Sequence, residues 1–240
     1  MRVPLNPCYI LHQRSYRESS LIIDLFSRDY GKLALVAKGA KRPKSGIRSL
    51  VQTHQRLNIA WSGKGELGTL TAMEPGGTPL NITGRRLMAA FYLDELLMRL
   101  LHRYEDHPEL FDAYETSLKK LDGGESEQCA IRAFEVQLLK SLGYGLVLDQ
   151  DADTGVKIDP EKGYYYRVDY GPVAALPQET DYIRISGRTL NALYRNDYGD
   201  EDSMKEAKLL IHHVLKSHLG PKPLASRELY RAYLRNLGGE

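Results

Sequence analysis

The chain has 240 residues, 42% apolar and 27% charged, with a formal net charge of +2. These values suit a soluble globular protein of one large or two small domains and leave no room for a low-complexity chain. The two cysteines, Cys8 and Cys129, exclude a disulfide framework and a four-cysteine zinc site, and they suit a reducing compartment.

Pro4, Asn6 and Pro7 stand where a signal peptide needs a continuous apolar core. The longest purely apolar run, Leu87–Leu93, is far short of the roughly 20 residues that span a membrane. A cytoplasmic protein without membrane contact is expected.

The first eighty residues read as short strands. Tyr9-Ile-Leu-His-Gln13 starts extended, and polar Ser15–Ser19 turns the chain into Leu21–Phe26. Arg28-Asp-Tyr-Gly31 is a turn whose glycine suits positive φ, and Lys32–Ala37 is the third strand. Gln55–Trp61 alternates with period two, Ser62–Gly65 is a glycine-rich hairpin turn, and Leu67–Met73 is the fifth strand. Five short strands at this spacing predict a small closed barrel. Pro75-Gly-Gly-Thr-Pro79 breaks the pattern and marks a domain boundary.

Beyond it the apolar period becomes about 3.6 residues. Thr83 is a candidate cap for a helix to about Tyr104. His107–Leu121 follows with Pro108 in its first turn and Gly123-Gly124 as its stop, then Glu125–Leu142 closed by Gly143. Ser186–Arg195, Met204–His218 and Leu224–Leu237 complete the set. Residues 146–182 break the helical pattern as an irregular insertion, with a candidate hairpin from Tyr164 to Val173. The predicted class is α+β: a β-domain over 1–79, then an all-helical domain over 80–240.

Charge is split between these parts. Residues 1–80 hold twelve Lys and Arg against five acids, whereas the rest hold twenty-one against twenty-six. The window Tyr30–Gly65 contains no acid and eight cations: Lys32, Lys38, Lys41, Arg42, Lys44, Arg48, Arg56 and Lys64. A flexible basic loop between strands holds phosphates without reading bases, so these eight are the candidate DNA contacts. Among nearby aromatics, Phe26 and Trp61 belong to alternating strands and are expected in the core. Tyr16 and Tyr30, in turns, are candidates for base stacking as well as for burial, and Tyr9 is a further nearby aromatic.

Other chemistry lacks a signature. Lys64 is followed by Gly65, so no phosphate-binding G-x-x-x-x-G-K-[ST] pattern occurs. Asp149-x-Asp151-x-Asp153 imitates a calcium loop, but its glycine falls one place late at Gly155 and Pro160 stands at the final acid position. His212, His213 and His218 lack H-E-x-x-H spacing, and no G-x-S-x-G elbow is present. No catalytic residue, cofactor or metal is expected.

Three stretches in this order resemble the bacterial recombination mediator family RecO. They are Ser19–Ser27 with Tyr30-Gly-Lys32 and Leu35–Lys41, then Arg132–Tyr144, then Lys222–Leu229. The resemblance implies an N-terminal OB-fold followed by a helical domain. It implies a non-enzymatic RecF-pathway protein of DNA damage repair and recombination that binds single- and double-stranded DNA. Such a protein anneals strands without ATP, engages the acidic C-terminal tail of the single-strand-binding protein SSB, and with RecR helps load RecA at gaps.

Lys32, Lys38, Lys41 and Arg42 match family positions for DNA contact; Lys44 and Arg48 are added by charge. Many family members carry a four-cysteine zinc site where this chain has Val147–Val173 without cysteine. The metal-free branch is the closer likeness, with Tyr164–Tyr166 as candidate replacements for the metal's contacts. Arg132, with Phe134 and Leu139 as groove or core neighbours, is the candidate anchor for the SSB tail, unless it snorkels or pairs with a nearby acid. The rival readings are an OB-fold RNA-binding protein, a nuclease of dispersed carboxylates, and a scaffold that never touches DNA.

Overall fold

The computed structural model describes residues 2–63, 66–176, 178 and 181–237. Contacts divide the chain into two compact units, residues 1–124 with 223–240, and residues 125–222. This division differs from one at residue 79, because three helices stay with the barrel.

The first unit is built on a closed barrel of β1 (Arg2–Tyr16), β2 (Ser20–Ser27), β3 (Gly31–Ala37), β4 (Arg56–Ser62) and β5 (Leu67–Pro75). Its order, β1-β2-β3-β5-β4 with β4 returning to β1, and its parallel β3–β5 pair are those of an OB-fold. β1 begins well before Tyr9 because it serves two partners. Arg2–Tyr9 pairs with β4 and Cys8–Tyr16 with β2, with register shifts between Val3 and Asn6 and between Ile10 and His12. Such irregularities let one long strand bend around a barrel and accept Pro4 and Pro7.

The barrel interior holds Val3, Cys8, Ile10, Ile23, Leu25, Leu33, Leu35, Leu57, Ile59 and Trp61. Its outer face at β1 and β2 is buried too, which is why β2 reads as an almost unbroken apolar run. Tyr9 and Phe26 pack there on Phe111 and Tyr114 of α2 (Pro108–Gly123), with ring centroids 5.1–6.2 Å apart. Arg28 adds a bidentate pair with Asp112 at 2.9 and 3.1 Å. Pro108 starts α2 and Gly124, at φ 83°, ends it in the left-handed region.

α1 (Gly84–Leu100) begins after Thr83, whose side chain makes no capping hydrogen bond, so the expected cap is positional only. It is tied to the barrel by a buried polar cluster. His54 Nε2 lies 2.7 Å from Asp94 Oδ2, and Tyr114 donates to Asp94 Oδ1. Burial pushes the Asp94 carboxyl up, opposed by His54 and Tyr114. α6 (Ala225–Leu237) returns from the far end of the chain onto α1. Glu95 accepts from the Ala225 and Ser226 amides and the Ser226 hydroxyl at 2.6–2.9 Å, capping the helix from another element.

The second unit holds α3 (Glu127–Ser141), a three-stranded sheet, α4 (Gly187–Arg195) and α5 (Glu201–Leu219). The sheet has the order β7-β6-β8, with β6 over Gly163–Arg167, β7 over Gly171–Val173 and β8 over Ile183–Ser186. The segment expected to be irregular therefore carries regular structure. The hairpin at Tyr164–Val173 is β6–β7, and β8 extends it.

Asp151 organises the loop before this sheet. Its buried carboxylate accepts from the amides of Asp153, Thr154 and Ala174 and from the Thr154 hydroxyl at 2.8–3.0 Å. Burial raises its pKa, but those hydrogen bonds outweigh it and the net shift is downward. Tyr164 and Tyr166 of β6 are buried, and Tyr164 Oη accepts from the Asp159 amide at 2.9 Å. The acid triplet that imitates a calcium loop thus contributes a structural carboxylate.

Candidate nucleic-acid interface

The basic tract leaves β3 at Ala37 and re-enters the barrel at β4. Within it the chain is folded into turns. Successive turns are closed by Arg42 N–Gly39 O, Ser45 N–Arg42 O, Arg48 N–Ser45 O and Val51 N–Ile47 O bonds of 3.0–3.2 Å. Ala40 and Val51 are buried in the barrel core, with Ile47 and Leu50 packed against it. With these apolar residues held inward, Lys38, Lys41, Arg42, Lys44 and Arg48 are exposed to solvent. Like charges then sit side by side, which water screens and a phosphate backbone relieves.

Two expected contacts are committed elsewhere. Lys32 is half-buried and its Nζ donates to Met98 O at 2.7 Å, near the C-terminal end of α1, where carbonyls lack helical partners. Burial lowers the Lys32 pKa, Arg103 adds to that, and Asp24 opposes it. Arg56 Nη1 donates to Glu115 Oε1 of α2 at 2.7 Å. Burial alone would raise the Glu115 pKa, but Lys119 and Arg56 bring it down. Both cations join the barrel to helices. Lys64 lies outside the described residues.

The exposed tract forms one wall of a groove of about 780 Å³ lined by Tyr16, Arg17, Glu18, Ser19, Ser20, Val36, Lys38, Gly39, Arg42 and Thr69. The β1–β2 turn forms the other, and Lys41 N donates to Ser19 O at 3.0 Å to join the two. Arg17 is the residue that charge counting missed. It stands alone between Tyr16 and Glu18 in sequence, and only the hairpin carries it to the tract.

Of the aromatics, Tyr9, Phe26 and Trp61 are buried, and Tyr30 is half-buried with its ring 5.1 Å from Trp61. Tyr16 alone among these five lines the groove.

The anchor expected at Arg132 has a different setting. Arg132 is buried on α3 and pairs with Glu135 at 2.8 Å, while Phe134 and Leu139 are fully buried. All three residues are packed in the second unit. Among the described residues, no group of three or more His, Cys, Asp or Glu side chains is placed to hold a metal ion. No helix among them is long and apolar enough to cross a membrane.

An OB-type barrel with a cationic rim, followed by helices, matches a known pair of sequence families. The profile of the family described as Recombination protein O N terminal covers residues 1–78, and that of Recombination protein O C terminal covers residues 83–228. The chain belongs to the RecO family of DNA repair proteins. The DNA repair protein RecO of Nitrosococcus oceani is 43% identical over 238 residues, covering 99% of this chain and 96% of that relative. Those of Aromatoleum aromaticum and Methylococcus capsulatus are 40% and 41% identical, each over 231 residues, and the alignments cover 96% of this chain and 96% and 94% of the relatives. Membership places the chain in DNA repair and recombination.

Proposed function

We propose that this protein is a non-catalytic, ATP-independent recombination mediator that binds single- and double-stranded DNA through the basic rim of its barrel and anneals complementary strands. The observation that carries this reading is the acid-free row of five exposed cations, Lys38, Lys41, Arg42, Lys44 and Arg48, held on an ordered segment. Neutralising phosphates on two strands lowers their mutual repulsion and releases counterions, so the strands can search for register. Binding carried mainly by the backbone leaves most bases free to pair.

Membership of the RecO family extends the reading to partners. The protein engages the acidic tail of SSB, which brings it to strands that SSB otherwise keeps apart, and with RecR it promotes RecA loading at gaps. The packed state of Arg132 means that a tail using it must first open the Arg132–Glu135 pair. Without that opening, the tail binds elsewhere. Arg132→Ala separates these cases by the affinity of a tail peptide, which falls only in the first.

The test of annealing uses complementary oligonucleotides coated with SSB, without ATP and at several salt concentrations. Fast annealing that collapses in a Lys38/Lys41/Arg42/Lys44→Ala variant is the expected result. Annealing that survives the variant keeps the function and moves the DNA site. No annealing by a folded wild type at any salt overturns the mediator reading in favour of an RNA-binding OB protein.

A further inference from the structure

Charge neutralisation by itself does not distinguish single from double strands, yet the groove beside the tract contains more than charge. Its turn, Arg17-Glu18-Ser19, connects Tyr16 and Ser20, which face each other in the β1–β2 register. Arg17 adopts φ 53°, a left-handed conformation that is unfavourable for a side chain larger than glycine. In that conformation its guanidinium lies 5.2 Å from the centre of the Tyr16 ring. Strained backbone held at a concave site is a recurrent mark of binding residues.

The charged side chains that line the groove are mostly cationic. Lys38 and Arg42 stand on the tract wall, and Arg17 on the turn wall; the one carboxylate is that of Glu18. Three cations against one acid favour an anion. The hydrogen bond from Lys41 N to Ser19 O fixes the two walls to each other, so the site is preorganised. Its volume of about 780 Å³ lies in the range of roughly 300–1,000 Å³ found for pockets that hold small ligands.

We infer that this groove is a subsite for one unstacked nucleotide, with its base against the Tyr16–Arg17 pair and its phosphate at Lys38 and Arg42, and that it gives the protein a preference for single strands. The inference rests on the DNA-binding reading above. A tyrosine ring and a planar guanidinium both stack on bases without selecting sequence. A duplex keeps its bases paired and stacked, so it presents phosphates to the tract but no base to the groove.

The test measures binding of fluorescein-labelled oligothymidylate and of a duplex of equal length to the full chain. Tyr16→Ala weakens the single strand by about five-fold or more, as loss of one stacking platform does, and leaves the duplex within about two-fold. Tyr16→Phe retains single-strand affinity. Arg17→Lys, at an exposed turn position, keeps the charge and removes the planar face. It lowers single-strand affinity without altering the salt slope. A single strand carrying 2-aminopurine loses fluorescence on binding the wild type and recovers it in Tyr16→Ala. Equal losses on both DNAs, or no loss in either variant, overturn the nucleotide subsite while leaving DNA binding intact. Failure of the wild type to bind either DNA removes the proposed function and the subsite together.

Discussion

The role of each cation in the acid-free window is open to measurement through salt. Five of the eight, Lys38, Lys41, Arg42, Lys44 and Arg48, face solvent, whereas Lys32 is bonded to Met98 O and Arg56 to Glu115. Each phosphate neutralised on a single strand contributes about −0.7 to the slope of log K against log salt. Five contacts therefore give about −3.5, and a Lys38/Lys41/Arg42/Lys44→Ala variant retains about −0.7 from Arg48.

Between roughly 50 and 200 mM salt the tract then costs the wild type about 100-fold in affinity, against about three-fold for the variant. Arg17 adds the same increment to both proteins. Lys32→Met, which keeps the aliphatic stem and removes the charge, leaves the slope unchanged. Fluorescence anisotropy of a labelled single strand at several salt concentrations reads all three slopes. A variant slope as steep as the wild type's would falsify the assignment of DNA to the tract. A Lys32→Met slope shallower by about 0.7 would show that Lys32 leaves the helix and contacts phosphate.

Three further outcomes follow from other parts of the fold. Asp151→Ala removes an acceptor of four hydrogen bonds and lowers the urea midpoint of the unit that holds it, by about 2–4 kcal/mol in unfolding free energy. Because the folded pKa of Asp151 is depressed, this stabilisation is complete above the unfolded value of about 3.9 and is lost as pH falls through the folded value. An acid limb of the stability profile that is identical in Asp151→Asn and wild type refutes that account. Tyr114→Phe deletes a buried hydroxyl donor to Asp94 and costs about 1.5–3 kcal/mol by chemical denaturation; a change near zero would mean that the cluster does not tie α1 to α2. Burial pushes the Cys8 thiol up to about 12, so a thiol reagent at neutral pH labels half-buried Cys129 and spares Cys8 until the protein unfolds. Rapid labelling of Cys8 in the native state would contradict a closed barrel interior.

Much of this architecture is written locally. The apolar run Leu21–Phe26 and the period-two run Gln55–Trp61 both read as strands, and Pro108 and Gly124 punctuate a helix wherever it packs. The acid-free window is a property of sequence alone, whereas the exposure of its cations on a folded segment is not. Residues 146–182 were less legible, since short strands paired across loops lack a period long enough to read, and β8 begins twenty residues after β6 does.

What tertiary structure alone decided is the partner of each charge. Lys32 and Lys38 are alike in sequence, but one meets the carbonyl end of a helix and the other meets water. Arg132 matches its family motif and has Glu135 three residues along the same helix, and only the tertiary structure buries the pair. Arg17 reaches the tract because a hairpin folds back, and α6 reaches α1 across more than a hundred residues to be capped by Glu95. Local composition fixes which elements form, because helix and strand periods act over a few residues. Partner choice depends on which surfaces bury each other, and that is settled only when the whole unit closes around its core.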